Sequence, residues 1–381
     1  MLVAVAVLAG TSATGSSASA EPRETDPVPV PAVTVPAAEG NGPFDISSST
    51  TIGLLPEYGY VQEEFFFDGS ARSYDKVGPW RPDGRWKAEV AGTAPYKSRL
   101  LVRRPADPSR FNGTVVVEWL NVSAGFDSSA EWLFAREELL RSGTAWVGVS
   151  AQAVGVEGGV SALGFGGLKA TDPVRYGSLS HPGDSFSYDI YSQAGAALSH
   201  PGTVDPMAGL AVDQVLAAGQ SQSAFRLVTY VNAVDPLARV YDGFLVHSRF
   251  AQGAPLHEGT GGEVPSPSRT RKGLRVPVLV LQSETDVQYS AVARRSDSHL
   301  YREWEVAGTS HADAFSLGPL AIAFLGCASP VNAGPMHYVV HTAIDALRRW
   351  ARDHGDGPAH GPNIKVEADR STVVRDGRGN A

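Results

Sequence analysis

The sequence predicts one large α/β domain, a mostly parallel central sheet flanked by helices, on three observations. Strand-type and helix-type patterns alternate from about residue 115 onward, the order that lays parallel strands side by side with helices as crossovers. Gly (41) and Pro (26) are frequent while charged residues make up only 19%, as suits a turn-rich sheet better than a helical bundle. With 381 residues, 43% of them apolar, the chain can bury one extended core.

The chain opens on an apolar run, Met1 to Ala9, then turns small and polar and reaches Ala18-Ser19-Ala20 before Glu21. This predicts a signal peptide over 1–20 with cleavage after Ala20, and hence a secreted protein, although the usual positive leading segment is missing. The run is far shorter than the roughly 20 residues of a membrane helix, so no stable membrane anchor is expected. Residues 21–50, rich in Pro, Ala and Val, read as a disordered linker. The folded domain is expected over 51–381.

Within it, early strands are expected at 60–67 and 96–103. Val115-Val116-Val117-Glu118-Trp119 is the next, followed by a helix that starts at Ser128-Ser129-Ala130-Glu131 in capping-box spacing and stops at Gly143. A strand at 145–149, a helix at 188–198 and a strand at 214–218 come next. The helix that follows carries Phe225, Leu227, Val228 and Val231 and should end before Asp235-Pro236. Strands at 243–246, 276–281 and 301–306 and a closing amphipathic helix at 336–350 complete the pattern. The Gly-, Pro- and Ser-rich stretches 151–183 and 251–275 are expected as excursions of the lid or binding-loop kind.

Composition narrows the function. A formal charge of −8 disfavours nucleic acid as a partner. Cys327 is the only cysteine, so no internal disulfide and no cysteine-built metal site is available, and a small buried hydrophobe is expected there. Asp184, Asp189 and His181 have no ligand spacing and His247 reads as a packed side chain, so neither metal nor cofactor is expected. Phe126, Trp132 and Phe165 suit an acyl pocket or plain core packing. Nothing in the sequence reports the oligomeric state.

The chemistry-bearing segment is Val215-Leu216-Ala217-Ala218-Gly219-Gln220-Ser221-Gln222-Ser223-Ala224-Phe225: a buried strand, a small-x-Ser-x-small turn, then a helix. That is the context of a nucleophile elbow, where small residues two before and two after the serine let strand and helix approach. Ser223 stands where a second glycine is usual. A serine in this setting also suits a helix N-cap. The partners of an elbow serine follow in the order acid, then histidine. The acid is expected at Asp286, after the strand ending in Leu281, with Glu284 as its rival; His311, in the loop after Val306, is the histidine. Such a histidine moves the hydroxyl proton while the acid fixes its tautomer. Oxyanion donors are expected from the Gln222 N–H and from Val122 or Asn121 in the loop after Trp119, where a plain turn at Asn121 explains the residues equally well. Asp313, two residues past His311, is expected either to support the histidine from behind or, as the blander reading, to be solvated.

At these residues the chain resembles the alpha/beta hydrolase superfamily and, within it, the poorly characterised bacterial "alpha/beta hydrolase domain" group. The resemblance rests on residues 117–123, 188–193, 218–223, 282–286 and 305–313 and extends from about Thr51 to the C-terminus. It implies an α/β-hydrolase fold and a Ser-Asp-His mechanism with no defined physiological substrate. It also implies a C-terminal truncation, since relatives continue past a segment like 375–380. The expected activity is esterase or lipase-like hydrolysis of a small-molecule or polymeric ester through an acyl-enzyme. An acyltransferase, a peptidase and a non-catalytic binding protein share such folds and stay open.

Overall fold

A computed structural model of the chain describes residues 27–45, 51, 53–160, 164, 166–259, 264–325, 329–355 and 357–381. The expected leader 1–20, Phe165 and Cys327 lie outside the described residues. Among the described residues nine strands form one open sheet: β1 (Ala32–Thr34), β2 (Tyr60–Lys76), β3 (Ala88–Pro105), β4 (Thr114–Trp119), β5 (Ala145–Val149), β6 (Gln214–Gln220), β7 (Gly243–His247), β8 (Val278–Ser283) and β9 (Tyr301–Val306). Their order is β1-β2-β3-β5-β4-β6-β7-β8-β9. From β5 to β9 every neighbouring pair is parallel, and β1, β2, β3 and β5 pair antiparallel. The expected α/β architecture is the one observed.

Every residue of β4 to β8 is buried, as parallel strands covered on both faces require. The strand period of two splits these residues between two cores. On one face Val115, Val117, Ala217, Val246 and Val280 pack with Tyr191, Tyr230 and Tyr241. On the other, Val116, Leu216, Ala218, Leu245 and Leu279 meet α1 (Ala130–Ser142) and the last helix, whose Val340, Ile344 and Leu347 recur at helical spacing. α2 (Ser187–Ser199) packs into the first of these cores, and two helices carry residues of the site described below, α3 (Gln222–Thr229) and α4 (Glu284–Ser290). The closing helix, α5 (Met336–Asp353), runs close to the expected span.

Four expectations change. Residues 27–45 of the expected linker lie on the sheet edge: β1 pairs with β2, and Phe44 N–H donates to Tyr176 Oη at 2.8 Å. The segment supplies acceptors to two buried arginines, with Arg99 donating to Phe44 O at 2.6 Å and Arg103 bonded to the Asp45 carboxylate. Burying guanidinium groups requires such partners, and a composition-based reading does not see them. β2 and β3 each extend about ten residues past the expected limits, because their distal halves are mostly exposed or half-buried, with Ala71, Ser73 and Tyr74 the buried residues there, in a hairpin without a regular apolar signature.

The capping box at 128–131 does not form. Ser129 is the N-cap, but its side chain caps no backbone N–H, and the Glu118 carboxylate of β4 accepts the Glu131 and Trp132 N–H groups at 2.8 and 2.9 Å. Finally, Asp235-Pro236 does not end the helix run. A wide turn at Tyr230–Val234 resets it, and Asp235–Ala238 is a new helical turn with Pro236 in its first positions, where a missing N–H costs nothing.

Candidate active site

Ser221 sits between β6 and α3 with φ +61° and ψ −117°, a conformation that L residues occupy only when the surroundings enforce it, at a cost of about 1–3 kcal/mol. Here Ser221 N–H donates to His247 O at 3.0 Å, and Ser221 O accepts Phe225 N–H at 3.3 Å. The serine is thereby stapled to β7 and to the first turn of α3. Gly219 makes the tight reversal possible: a Cβ there would lie 3.1 Å from Leu227 Cδ1 and from Ser223 Cβ. Gly219→Ala is therefore expected to lower stability by about 1–2 kcal/mol, read as a lower urea midpoint at unchanged slope. Ser223, with its side chain fully buried, is small enough for the position the sequence left imperfect.

His311 arrives from the loop after β9, and its Nε2 lies 2.8 Å from Ser221 Oγ. Its Nδ1 is 2.6 Å from Asp286 Oδ1. The loop is held on several sides: His311 N–H donates to Thr285 Oγ1 at 2.9 Å, Gln220 Nε2 donates to His311 O at 3.2 Å, and Gly308 N–H donates to Glu284 Oε2 at 2.7 Å. The ring keeps about a third of its surface open.

The two rival acids thus separate. Asp286, in the first turn of α4, turns one oxygen to His311 and the other to Ser283 N–H and Oγ, at 3.1 and 2.6 Å. Burial by itself would raise its pKa. The hydrogen bond and charge of His311, with the bonds from Ser283, outweigh that and hold the carboxyl below the usual range. Glu284 turns away, to the Gly308 N–H and to Arg375. It braces the loop that carries His311 and does not touch the ring.

The loop after β4 contains the expected oxyanion donors, and one of them is spoken for. Asn121 N–H donates to Ser128 O at 2.9 Å, closing the loop on itself, so Asn121 is corrected from donor to brace. Its side chain accepts Ser123 N–H at 2.9 Å and donates to Gln220 O at 3.0 Å, tying the loop to the residue before Ser221. Among the described residues, the backbone N–H groups of Val122 and Gln222 donate to no protein acceptor.

Other expectations resolve locally. His247 is packed, its Nδ1 2.8 Å from Glu131 Oε2. Asp189 is fully buried and accepts Tyr74 Oη at 2.8 Å. Asp313 is buried, against the expected solvation, with its Oδ1 accepting Ser316 N–H at 2.8 Å. Trp132 belongs to α1 and points into the core, donating to Thr51 Oγ1. No group of three or more His, Cys, Asp or Glu able to hold a metal ion occurs among the described residues.

Sequence reasoning missed two features of the site. Gln222 Nε2 donates to Gln152 Oε1, which also accepts Trp119 Nε1–H, while Gln152 Nε2 donates to Asp184 Oδ2, itself paired with Arg226. Because an indole N–H is donor-only and a carboxylate acceptor-only, this chain fixes both amide orientations and anchors the residue after Ser221. The second feature is aromatic: Phe250 lies 5.6 Å from the His311 ring, 5.5 Å from Phe225 and 5.0 Å from Tyr289, centroid to centroid.

Comparison with known proteins yields no match among curated sequences. Solved structures with a similar fold include a fungal esterase from Rhizomucor miehei, at 11% identity over 81% of this chain and 91% of that one, TM-score 0.38. Another is a lidless serine hydrolase from Xanthomonas campestris, at 13% identity over 76% and 97%, TM-score 0.37. A third is the esterase Est22, at 12% identity over 80% and 85%, TM-score 0.40. The family model described as "Alpha/beta hydrolase domain" matches residues 28–381, and the chain belongs to that family.

Proposed function

We propose that this protein hydrolyses carboxylic esters in two steps, with Ser221 as nucleophile, His311 as general base and acid, and Asp286 as the carboxylate that orients His311. The observation that carries this reading is the unbroken line from Ser221 Oγ to His311 Nε2 at 2.8 Å and from His311 Nδ1 to Asp286 Oδ1 at 2.6 Å. His311 takes the hydroxyl proton as Ser221 attacks the carbonyl carbon, then hands it to the leaving alcohol. The acyl-enzyme is released by water that His311 deprotonates in turn. The oxyanion of each tetrahedral intermediate is met by the Val122 and Gln222 N–H groups, which have no other acceptor among the described residues.

A fluorophosphonate probe tests the reading directly. The wild-type protein is expected to be labelled at one site and Ser221→Ala at none, with turnover of p-nitrophenyl acetate lost in parallel. Labelling that persists in Ser221→Ala would remove the proposal. Labelling without turnover of any ester would move the function to acyl transfer or peptide cleavage on the same residues.

A further inference from the structure

We propose that Phe225, Phe250 and Tyr289 form the wall that receives the alcohol portion of the substrate, so that the enzyme prefers esters of planar aromatic alcohols of the benzyl type. This rests on the ester-hydrolase reading above. The three rings come from the elements that hold the reacting groups. Phe225 is one turn past Ser221 on α3, Tyr289 is three residues past Asp286 on α4, and Phe250 follows β7, which lies between β6 and β8 in the sheet. They contact one another in series, Phe225 to Phe250 to Tyr289, and Phe250 is also the ring against His311.

Two features separate this group from ordinary core packing. Phe225 and Phe250 are only half-buried and Tyr289 is 59% exposed. None of the three packs into the hydrophobic clusters on either face of the sheet among the described residues. Buried aromatic area is among the larger favourable terms a side chain contributes, so an aromatic chain of contacts left open to solvent beside a reactive histidine has the character of a ligand-binding surface.

Topology assigns the wall to the alcohol rather than the acyl side. Ser221 lies at the tip of β6, between β4 and β7. The loop after β4 carries the Val122 N–H and therefore lies on the oxyanion side, whereas His311 and the wall lie on the side of β7 and β8. His311 Nε2 must reach the leaving oxygen to protonate it, so the group attached to that oxygen extends past the His311 ring, where Phe250 and then Tyr289 stand. Among the described residues no Lys or Arg stacks on Phe225, Phe250 or Tyr289, so the fitting partner is a neutral planar group stacking at offset or tilted angles.

The test uses acetate esters whose alcohols leave with similar intrinsic ease, methyl, ethyl and benzyl, so that differences report binding rather than leaving-group acidity. For the wild-type enzyme kcat/KM is expected to be at least about tenfold higher for benzyl than for methyl acetate, within the range one buried apolar group supplies. Phe250→Ala and Tyr289→Ala should each shrink that ratio about threefold or more, and Phe250→Leu less than Phe250→Ala. Tyr338→Ala, which removes an exposed ring from α5, should leave the ratio unchanged.

Circular dichroism and fluorophosphonate labelling show whether each variant is folded with a reactive serine. A wild-type ratio near one, or a ratio indifferent to Phe250→Ala and Tyr289→Ala in folded, labelled protein, overturns the proposal. So does a preference that follows an aromatic acyl group, as in methyl phenylacetate, instead of the alcohol. Failure to hydrolyse any of these esters, with no labelling of Ser221, would instead strike the ester-hydrolase reading itself.

Discussion

Replacing Ser221 by Ala is expected to lower kcat for ester hydrolysis by about six orders of magnitude, and Asp286→Asn by about four. The second figure follows from the geometry. Asp286 Oδ1 accepts from His311 Nδ1 at 2.6 Å, which leaves Nε2 free of its proton and aimed at Ser221 Oγ. An amide at position 286 can present its NH2 to Nδ1 and hold the imidazole in the opposite tautomer, with Nε2 protonated and unable to accept. Glu284→Gln is the discriminating control. Its carboxylate accepts Gly308 N–H and pairs with Arg375, which is itself about half exposed, so its replacement loosens the His311 loop and should cost no more than about tenfold. Steady-state kinetics on one ester for the three variants checks the series. A larger loss in Glu284→Gln than in Asp286→Asn would exchange the roles of the two acids.

Why the tight turn at Ser221 was legible from sequence and the contact between Asp286 and His311 only partly so has a physical basis. An elbow is a local constraint: strand, tight turn and helix follow within about a dozen residues, and Gly219 and Ser223 must both be small to let them pass. The acid is defined by a tertiary contact. Glu284 and Asp286 lie two residues apart at the start of α4, and only the fold of the His311 loop, 25 residues on, decides which faces the imidazole. The choice between Asn121 and Val122 in the loop after β4 stayed open for a similar reason, since only the folded loop shows that the Asn121 N–H is consumed by Ser128 O. The aromatic wall was invisible because residues 225, 250 and 289 belong to three separate elements.

The parallel half of the sheet, with its buried apolar runs, matched expectation closely. The long β2–β3 hairpin and the described part of the expected linker did not, because half-exposed alternating strands and ion-paired edge segments carry little apolar signal. One strand residue did carry a signal that went unused. Glu118 interrupts Val115-Val116-Val117 and Trp119 in a strand buried along its whole length. An acid in that place is costly unless its neighbours supply donors.

Glu118 is consequently where the largest loss of stability is expected. Its carboxylate accepts Glu131 N–H, Trp132 N–H and Trp146 Nε1–H at 2.8, 2.9 and 2.9 Å. Two of these are first-turn donors of α1 with no partner inside the helix. Glu118→Ala strands all three in the core and should lower stability by about 3–5 kcal/mol. Burial, and next the neighbouring Glu131 carboxylate, push the Glu118 pKa up from the ordinary 4.5 to about 8 against the pull of its donors.

The folded state therefore holds a proton that the unfolded chain releases. That contribution is full below about pH 4.5 and is lost as pH rises to about 8. Glu303, pushed up to about 7 by burial and by Glu305, acts with the same sign. His181 and His341, held low mainly by burial, act oppositely, but only below about pH 6.5. Between pH 6.5 and 8 wild-type stability should thus decline, and Glu118→Gln, neutral throughout, should decline less although it starts lower. Urea midpoints at the two pH values decide this, and equal declines would show that Glu118 is ionised in the fold at both. The same comparison bears on catalysis. The loop that carries Val122 leaves β4 just after Glu118 and re-enters at the helix turn Glu118 holds, so a stability loss at this residue should be accompanied by weaker oxyanion stabilisation, seen as a fall in kcat at temperatures where the variant is still folded.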